Sequence, residues 1–229
     1  MLHGFLPSLI EGAGTTMALA VCSLLIAAVL GLAGALMKLS RSKFLKFLAS
    51  VYTTVIRGVP DLVLMLLIFY GGQLAVNELA TRIGIKEVVD INPFIAGVAT
   101  IGFIFGAYLT ETFRGAMMAV PLGQREAGIA YGMTSLQVLA RVTLPQMVRF
   151  ALPGFTNNWL VLVKSTALVS IIGLSDMMNR AGLAAGSTRE PFTFYLAVAA
   201  LYLVITTVSI LLLKTLEKRY TLGVKTVST

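Results

Sequence analysis

Charged side chains set inside long apolar runs are the first residues in this chain that could do chemistry. An ionised group in hydrocarbon is costly and implies a partner, a wet cavity or a pathway. Lys164 has no other charge beside it from Phe150 to Ser175. It must snorkel to the membrane surface, face water, or meet a carboxylate from another helix. The expected partner is Glu111 or Asp61; the other reading is direct contact with a carboxylate on a substrate. Asn157, Asn158, Ser165 and Thr166 add amides and hydroxyls to the same segment, enough to line a polar path. Arg57 and Asp61 are four residues apart across Pro60, and Glu111 and Arg114 three apart, so each pair has the spacing of a helix-face ion pair. Arg57 and Asp61 read first as a pair fixing a helix start, and second as substrate contacts. Glu111 and Arg114 read equally as a self-paired bridge or as a pair that changes partner during motion. Ser165 beside Lys164 could suggest a nucleophile and base, but neighbours on a helix point about 100° apart and do not form such a pair alone.

These residues sit in a chain that is 57% hydrophobic and 12% charged. A soluble domain carries about 25% charged residues, so the solvent for most of this surface is lipid. One cysteine, Cys22, and one histidine, His3, leave no disulfide framework or Cys/His metal site within the chain. The net charge of +8 is spread between apolar runs, which argues against a nucleic-acid surface. Spans of about 20 apolar residues are expected at 12–37, 52–76, 93–113, 151–174 and 192–213, giving an all-α integral membrane protein with one transmembrane domain over residues 1–229. The second is the least regular: residues 62–76 are too short, so it must borrow from 52–61. Gly31 and Gly34 in the first span would let another helix approach closely.

Lys and Arg in the connections orient the chain. From the N-terminus onward the segments between spans hold 0, 5, 2, 4, 2 and 4 of them, the tail included. The alternation predicts an N-terminus outside (periplasmic) and a C-terminus and third connection in the cytoplasm. That third connection holds the most structured polar stretch, QREAGIAYGMTSLQVLARVTLP, residues 124–145. It reads as a short helix over about 124–131, a stop at Gly132, and a second helix from about Ser135, with Thr134 and Gln137 spaced as a capping box. Pro145 is expected to close the second helix. Such an elbow either lies on the membrane surface as an amphipathic interruption or docks a partner.

Its residues resemble a known pattern. Glu126-Ala127-Gly128, three residues, Gly132, nine residues, then Val142-Thr143-Leu144-Pro145 is similar to the Glu-Ala-Ala loop of permease subunits in bacterial ATP-binding-cassette importers. Gly128 stands where that pattern has its second alanine and Val142 where it has isoleucine; both changes are small, and Gly128 weakens the helix by roughly 1 kcal/mol relative to alanine. The stretches 53–61, 106–116 and 157–170 resemble the polar amino-acid branch of these permeases, and the histidine/lysine–arginine–ornithine permeases within it.

The resemblance implies a type I importer permease (MetI-like) fold in the bacterial inner membrane. It implies an elbow in which Glu126, Ala127, Gly128, Gly132, Leu144 and Pro145 couple to an ATPase. It also implies partners: two ATPase subunits that bind ATP and Mg, a second permease subunit of similar fold (a heterodimer, or a homodimer), and an extracytoplasmic binding protein docking on residues 77–92 and 175–191. The cargo implied is a basic amino acid, with glutamine or glutamate as the alternative. No cofactor is expected in the chain itself, which has no GxxxxGK[ST] phosphate loop and so is not the ATPase. An intramembrane enzyme and a passive channel are the rivals of other classes, and neither accounts for the elbow.

Overall fold

The computed structural model describes residues 4–85 and 88–221. His3, Lys86, Glu87 and Lys225, which enter the composition and charge reading, lie outside the described residues. Everything described is helix and connection, with no strand among the described residues. The helices are α1 (Leu6–Leu39), α2 (Lys43–Gly58), α3 (Asp61–Arg82), α4 (Pro93–Ala119), α5 (Leu122–Ala130), α6 (Ser135–Val138), α7 (Leu144–Ser165), α8 (Met177–Thr188) and α9 (Pro191–Thr221). A π-helical turn, Leu139–Thr143, joins α6 to α7, and a 3₁₀ segment, Thr166–Ile172, continues α7. Five helical runs among the described residues are long and apolar enough to cross a membrane: Leu6–Leu39, Asp61–Arg82, Pro93–Ala119, Ser135–Ile172 and Pro191–Tyr220.

The centre of the molecule is the seam between α1 and α4. A β-carbon added to Gly31 would stand 2.6 Å from Leu109 Cβ, one added to Gly102 would stand 2.7 Å from Ile26 Cγ2, and one at Gly34 would collide with Thr110. Small residues therefore let the two backbones close on each other, the route to helix association where lipid gives no hydrophobic drive. Asn92 caps α4 by accepting from the N–H groups of Phe94 at 2.8 Å and Ile95 at 3.3 Å, with Pro93 at the first helical position. Around the seam pack Phe105, Leu109, Leu162 and Val163, all essentially buried. A second, smaller core joins α1, α8 and α9 through Leu9, Met177, Ala181 and Phe194.

Two expected boundaries change. The second span does not borrow residues 52–58: they belong to α2, a separate amphipathic helix. Val59 is extended (φ −112°, ψ 140°), as a residue before proline prefers to be, and Pro60 is the N-cap of α3. The span gains its length at the other end, reaching Arg82. Nor does Pro145 end the second elbow helix. Proline lacks the N–H that would bond four residues back, and the chain absorbs this by widening one turn: the Leu144 N–H donates to Leu139 O, five residues back, and helix continues through Pro145 into α7. The elbow's second helix is thus the first turn of the fourth span. The segment 175–191, expected as a connection, contains α8.

Candidate functional site

The elbow is built from short-range hydrogen bonds. At the end of α5, the Met133 N–H donates to Gly128 O at 3.1 Å and the Gly132 N–H donates to Ile129 O at 2.9 Å, with Gly132 left-handed at φ +80°. This paired arrangement is a Schellman stop, which favours glycine at that position. Two residues on, the Gln137 N–H donates to Thr134 Oγ1 at 3.3 Å and the Thr134 N–H donates to Gln137 Oε1 at 2.8 Å. The capping box is complete, so α5 ends and α6 begins within four residues with their backbone groups satisfied.

Packing closes the corner. Gly128 is buried, and a β-carbon there would meet Val138 Cγ2 at 3.1 Å, Met133 Sδ at 3.5 Å and Val142 Cγ2 at 3.6 Å. The glycine that departs from the Glu-Ala-Ala pattern is the point where α5 rests on α6 and the π turn. Glu126, Ala127 and Gly132 are exposed, as are the large side chains Tyr131 and Leu136. Leu144 is half-buried and Pro145 exposed. Beneath the elbow a cavity of about 510 Å³ separates it from the ends of α1 and α4, between Leu39 and Arg41 on one side, Met117 and Met118 on another, and Arg125 and Ile129 on the elbow.

Beside that cavity, Glu111 holds three elements together. Its Oε2 accepts from Arg114 Nε at 2.9 Å, the i,i+3 pair read from the sequence, and its Oε1 accepts from Lys38 Nζ. Lys38 Nζ also donates to Thr53 Oγ1 of α2 at 2.6 Å. One carboxylate therefore links α1 to α4, and the lysine carries the link to α2. Sequence reading used Lys38 only for orientation and missed this role. The available signal was its place one turn beyond Gly34 on the seam.

Arg57 and Asp61 are brought together indirectly. The Tyr108 hydroxyl donates to Asp61 Oδ1 at 3.4 Å, and the Arg57 guanidinium lies 5.6 Å from the Tyr108 ring centroid, so α4 supplies the surface on which both rest. Lys164 meets neither expected carboxylate: Glu111 is taken by Lys38 and Arg114, and Asp61 by Tyr108. Lys164 is exposed, on one stripe of α7 with Phe150, Pro153, Asn157 and Val161. Ser165 is half-buried. Thr166 faces inward, donating to Val163 O at 2.7 Å with Tyr202 Oη 3.4 Å away. Asn158 also turns inward, donating to Thr112 Oγ1 at 2.8 Å. The expected polar path thus divides: Asn157 and Lys164 face outward, while Asn158 and Thr166 bind helices together.

The profile of the family described as "Binding-protein-dependent transport system inner membrane component" matches residues 27–222. The chain is 52% identical over 225 residues to the histidine/lysine/arginine/ornithine transport system permease protein HisQ of Escherichia coli (strain K12), covering 98% of each. Among solved structures it is similar to the crystal structure of an amino acid ABC transporter with histidines, with a TM-score of 0.79 and 35% identity over 94% of this chain and 95% of that one. The inward-facing MetNI methionine ABC transporter shares the fold, with a TM-score of 0.77 at 19% identity over 96% and 100% of the two chains.

Proposed function

Since the chain belongs to the family of binding-protein-dependent transport system inner-membrane components, and so is a permease subunit whose ATPase lies in separate subunits, we propose that it passes a basic amino acid into the cytoplasm by alternating access, driven through the 124–145 elbow. The observation that carries this is the elbow itself: a corner closed on its inner side by Gly128, Val138 and Val142, with Glu126, Tyr131 and Leu136 presented outward. A charged carboxylate flanked by exposed apolar side chains suits a groove on an ATPase better than open water.

Because α6, the π turn and α7 are continuous, a displacement of the docked elbow reaches the fourth span directly. The cavity beneath gives it room, and the Lys38–Glu111–Arg114 cluster offers a second connection to α1 and α4. Two ATPase subunits, a second permease subunit and an extracytoplasmic binding protein complete the working unit, with the N-terminus periplasmic and the elbow and C-terminus cytoplasmic. The similarity to HisQ supports a cationic cargo. The exposed stripe of Asn157 and Lys164, set within the fourth span where lipid would not tolerate it cheaply, supports this face of α7 as the lining of the path, with Lys164 available to the carboxylate that every amino acid carries.

The test is the reconstituted complex with its binding protein. Gly132→Pro removes the N–H that donates to Ile129 and forbids the positive φ, so substrate-stimulated ATP hydrolysis should fall at least tenfold. Unchanged stimulated hydrolysis would reject elbow docking. Uptake of labelled arginine should be inhibited by lysine, ornithine and histidine; inhibition by glutamine or glutamate alone would replace the basic cargo with the alternative.

A further inference from the structure

Arg41 and Arg125 enter the sequence reading only as charges that orient the chain, yet the fold brings them to one cavity. Ser40 turns extended (φ −65°, ψ 163°) and ends α1, so Arg41 falls on the short bend before Ser42 caps α2. Arg125 stands on α5, and both arginines line the space of about 510 Å³ beneath the elbow. Two guanidiniums on one small cavity repel each other unless an anion lies between them.

Neither arginine finds that anion in the chain. No aspartate or glutamate lines the cavity, and neither guanidinium has an ion pair or a hydrogen bond among the described residues. Glu126 follows Arg125 in sequence, but neighbours on a helix point about 100° apart, and Glu126 is not part of the cavity wall. Glu111 is taken by Lys38 and Arg114, two cations against one carboxylate, so the cluster beside the cavity adds positive charge. Hydroxyls complete the polar wall. Ser135 and Thr143 line the cavity from the elbow, and neither hydroxyl has a hydrogen-bond partner among the described residues, although Thr143 is only 5% exposed. A buried hydroxyl without a partner is a cost that a ligand oxygen would relieve. The opposite wall is apolar, with Leu36, Val138 and Leu139.

We propose that this cavity binds a phosphate group, held between Arg41 and Arg125 with the Ser135 and Thr143 hydroxyls donating to it. A carboxylate has two oxygens, which a single guanidinium fork satisfies. A phosphate offers enough acceptors for two forks and two hydroxyls. A soluble phosphate and the headgroup of a membrane phospholipid present this same chemistry. Bound there, the group ties the end of α1 to α5 across the gap that separates elbow from body, and so restrains the elbow. That consequence for coupling rests on the proposed docking of the elbow; the binding chemistry does not.

The experiment is phenylglyoxal modification of arginine in the intact, nucleotide-free transporter complex in nanodiscs, read residue by residue by mass spectrometry. In phosphatidylcholine nanodiscs, inorganic phosphate should slow modification of both Arg41 and Arg125 roughly fivefold relative to chloride of equal ionic strength. Arg82, exposed at the end of α3 and paired with Glu78, should react at one rate throughout. Protection should be reciprocal: Arg41→Gln should expose Arg125, and Arg125→Gln should expose Arg41, because each removes half of a shared site. Thr143→Val, which keeps the shape and removes the hydroxyl, should raise the half-protecting phosphate concentration about fivefold. Reciprocal protection that follows phosphatidylglycerol in the bilayer, without added phosphate, would identify the lipid headgroup as the source. Equal rates in phosphate and chloride in both bilayers would overturn the proposal, as would equal protection by acetate or protection of one arginine that survives loss of the other. Arginines unreactive in every condition would overturn it too, since another subunit would then cover the cavity. Reciprocal protection together with unchanged stimulated hydrolysis in Gly132→Pro would keep the site and reject elbow docking.

Discussion

The two ends of the helical body treat a carboxylate in opposite ways. At the elbow end Glu111 is met by two cations, Lys38 and Arg114, and so joins α1 to α4. At the far end Asp176 is fully buried and caps α8, its Oδ1 accepting from the Asn179 N–H at 2.8 Å, yet its Oδ2 has no partner among the described residues. Thr16 and Tyr202 close over it, and Arg180, one turn further on, turns its guanidinium to Glu11, Ser8 and the Ser175 carbonyl instead. A paired charge at one end stabilises as an ion. An unpaired charge at the other stabilises only through its cap, and burial works against its ionised form. Removing the two charges should therefore have opposite signs.

The largest effect is expected at Glu111. Glu111→Gln leaves Lys38 and Arg114 beside each other without an anion, and the side chain is only 19% exposed. Breaking such a partly buried cluster should cost about 2–3 kcal/mol. Thermal unfolding of the purified complex in nanodiscs would read it as a clear fall in midpoint. A double-mutant cycle with Lys38→Met should give a coupling of about 1–2 kcal/mol. A coupling near zero would mean that Lys38 and Glu111 merely lie close, and the contrast between the two ends would lose its first half.

Asp176 should behave the other way. Burial pushes its carboxyl up to about 6, against about 3.9 for an aspartate in an unfolded chain. Between those values the folded protein keeps a proton that the unfolded chain has released. Stability is therefore greatest below pH 4, declines as pH rises to about 6, and stays lower above it. Asp176→Asn keeps an N-cap and removes the charge, so it should raise the unfolding midpoint at pH 8 by the equivalent of about 1–3 kcal/mol. At pH 4 it should change little. A variant less stable at pH 8 would show that the ion has a partner, a solvent molecule or another subunit, that this chain does not supply.

What could be read from the sequence follows the range of each interaction. The elbow was legible in detail because its determinants lie within four residues of one another: Gly132 next to the helix end, and Thr134 with Gln137. Glu111 with Arg114 was legible for the same reason. Lys38 was not, since its partner is 73 residues away; only the register of the α1–α4 seam, Gly31 on Leu109 and Gly34 on Thr110, places it there. Lys164 went astray because a lysine in mid-span prompts a search for a carboxylate, and both were already engaged by nearer groups. Pro145 was read by a local rule that a widened turn can satisfy in another way. The lysines and phenylalanines of α2 already carried an amphipathic period, but the need to lengthen a 15-residue run into a full span concealed it.

Glu11 supplies the smallest effect and the closest control. It binds Arg180 through two parallel hydrogen bonds of 2.8 and 2.9 Å, the same chemistry as the Glu111 cluster, but its side chain is 71% exposed. Water and salt screen an exposed pair, and Arg180 keeps the Ser8 hydroxyl and the Ser175 carbonyl if the carboxylate goes. Glu11→Gln should therefore lower the midpoint less than Glu111→Gln, and its own effect should vanish in high salt. Arg180→Met should cost more than Glu11→Gln, because it also removes the hydrogen bonds to the Ser8 hydroxyl and the Ser175 carbonyl. If instead Glu11→Gln matched Glu111→Gln and resisted salt, exposure would not be what separates the two ion pairs. The far end would then have to be covered in the assembled transporter, and the pair at Glu11 would belong to an interface.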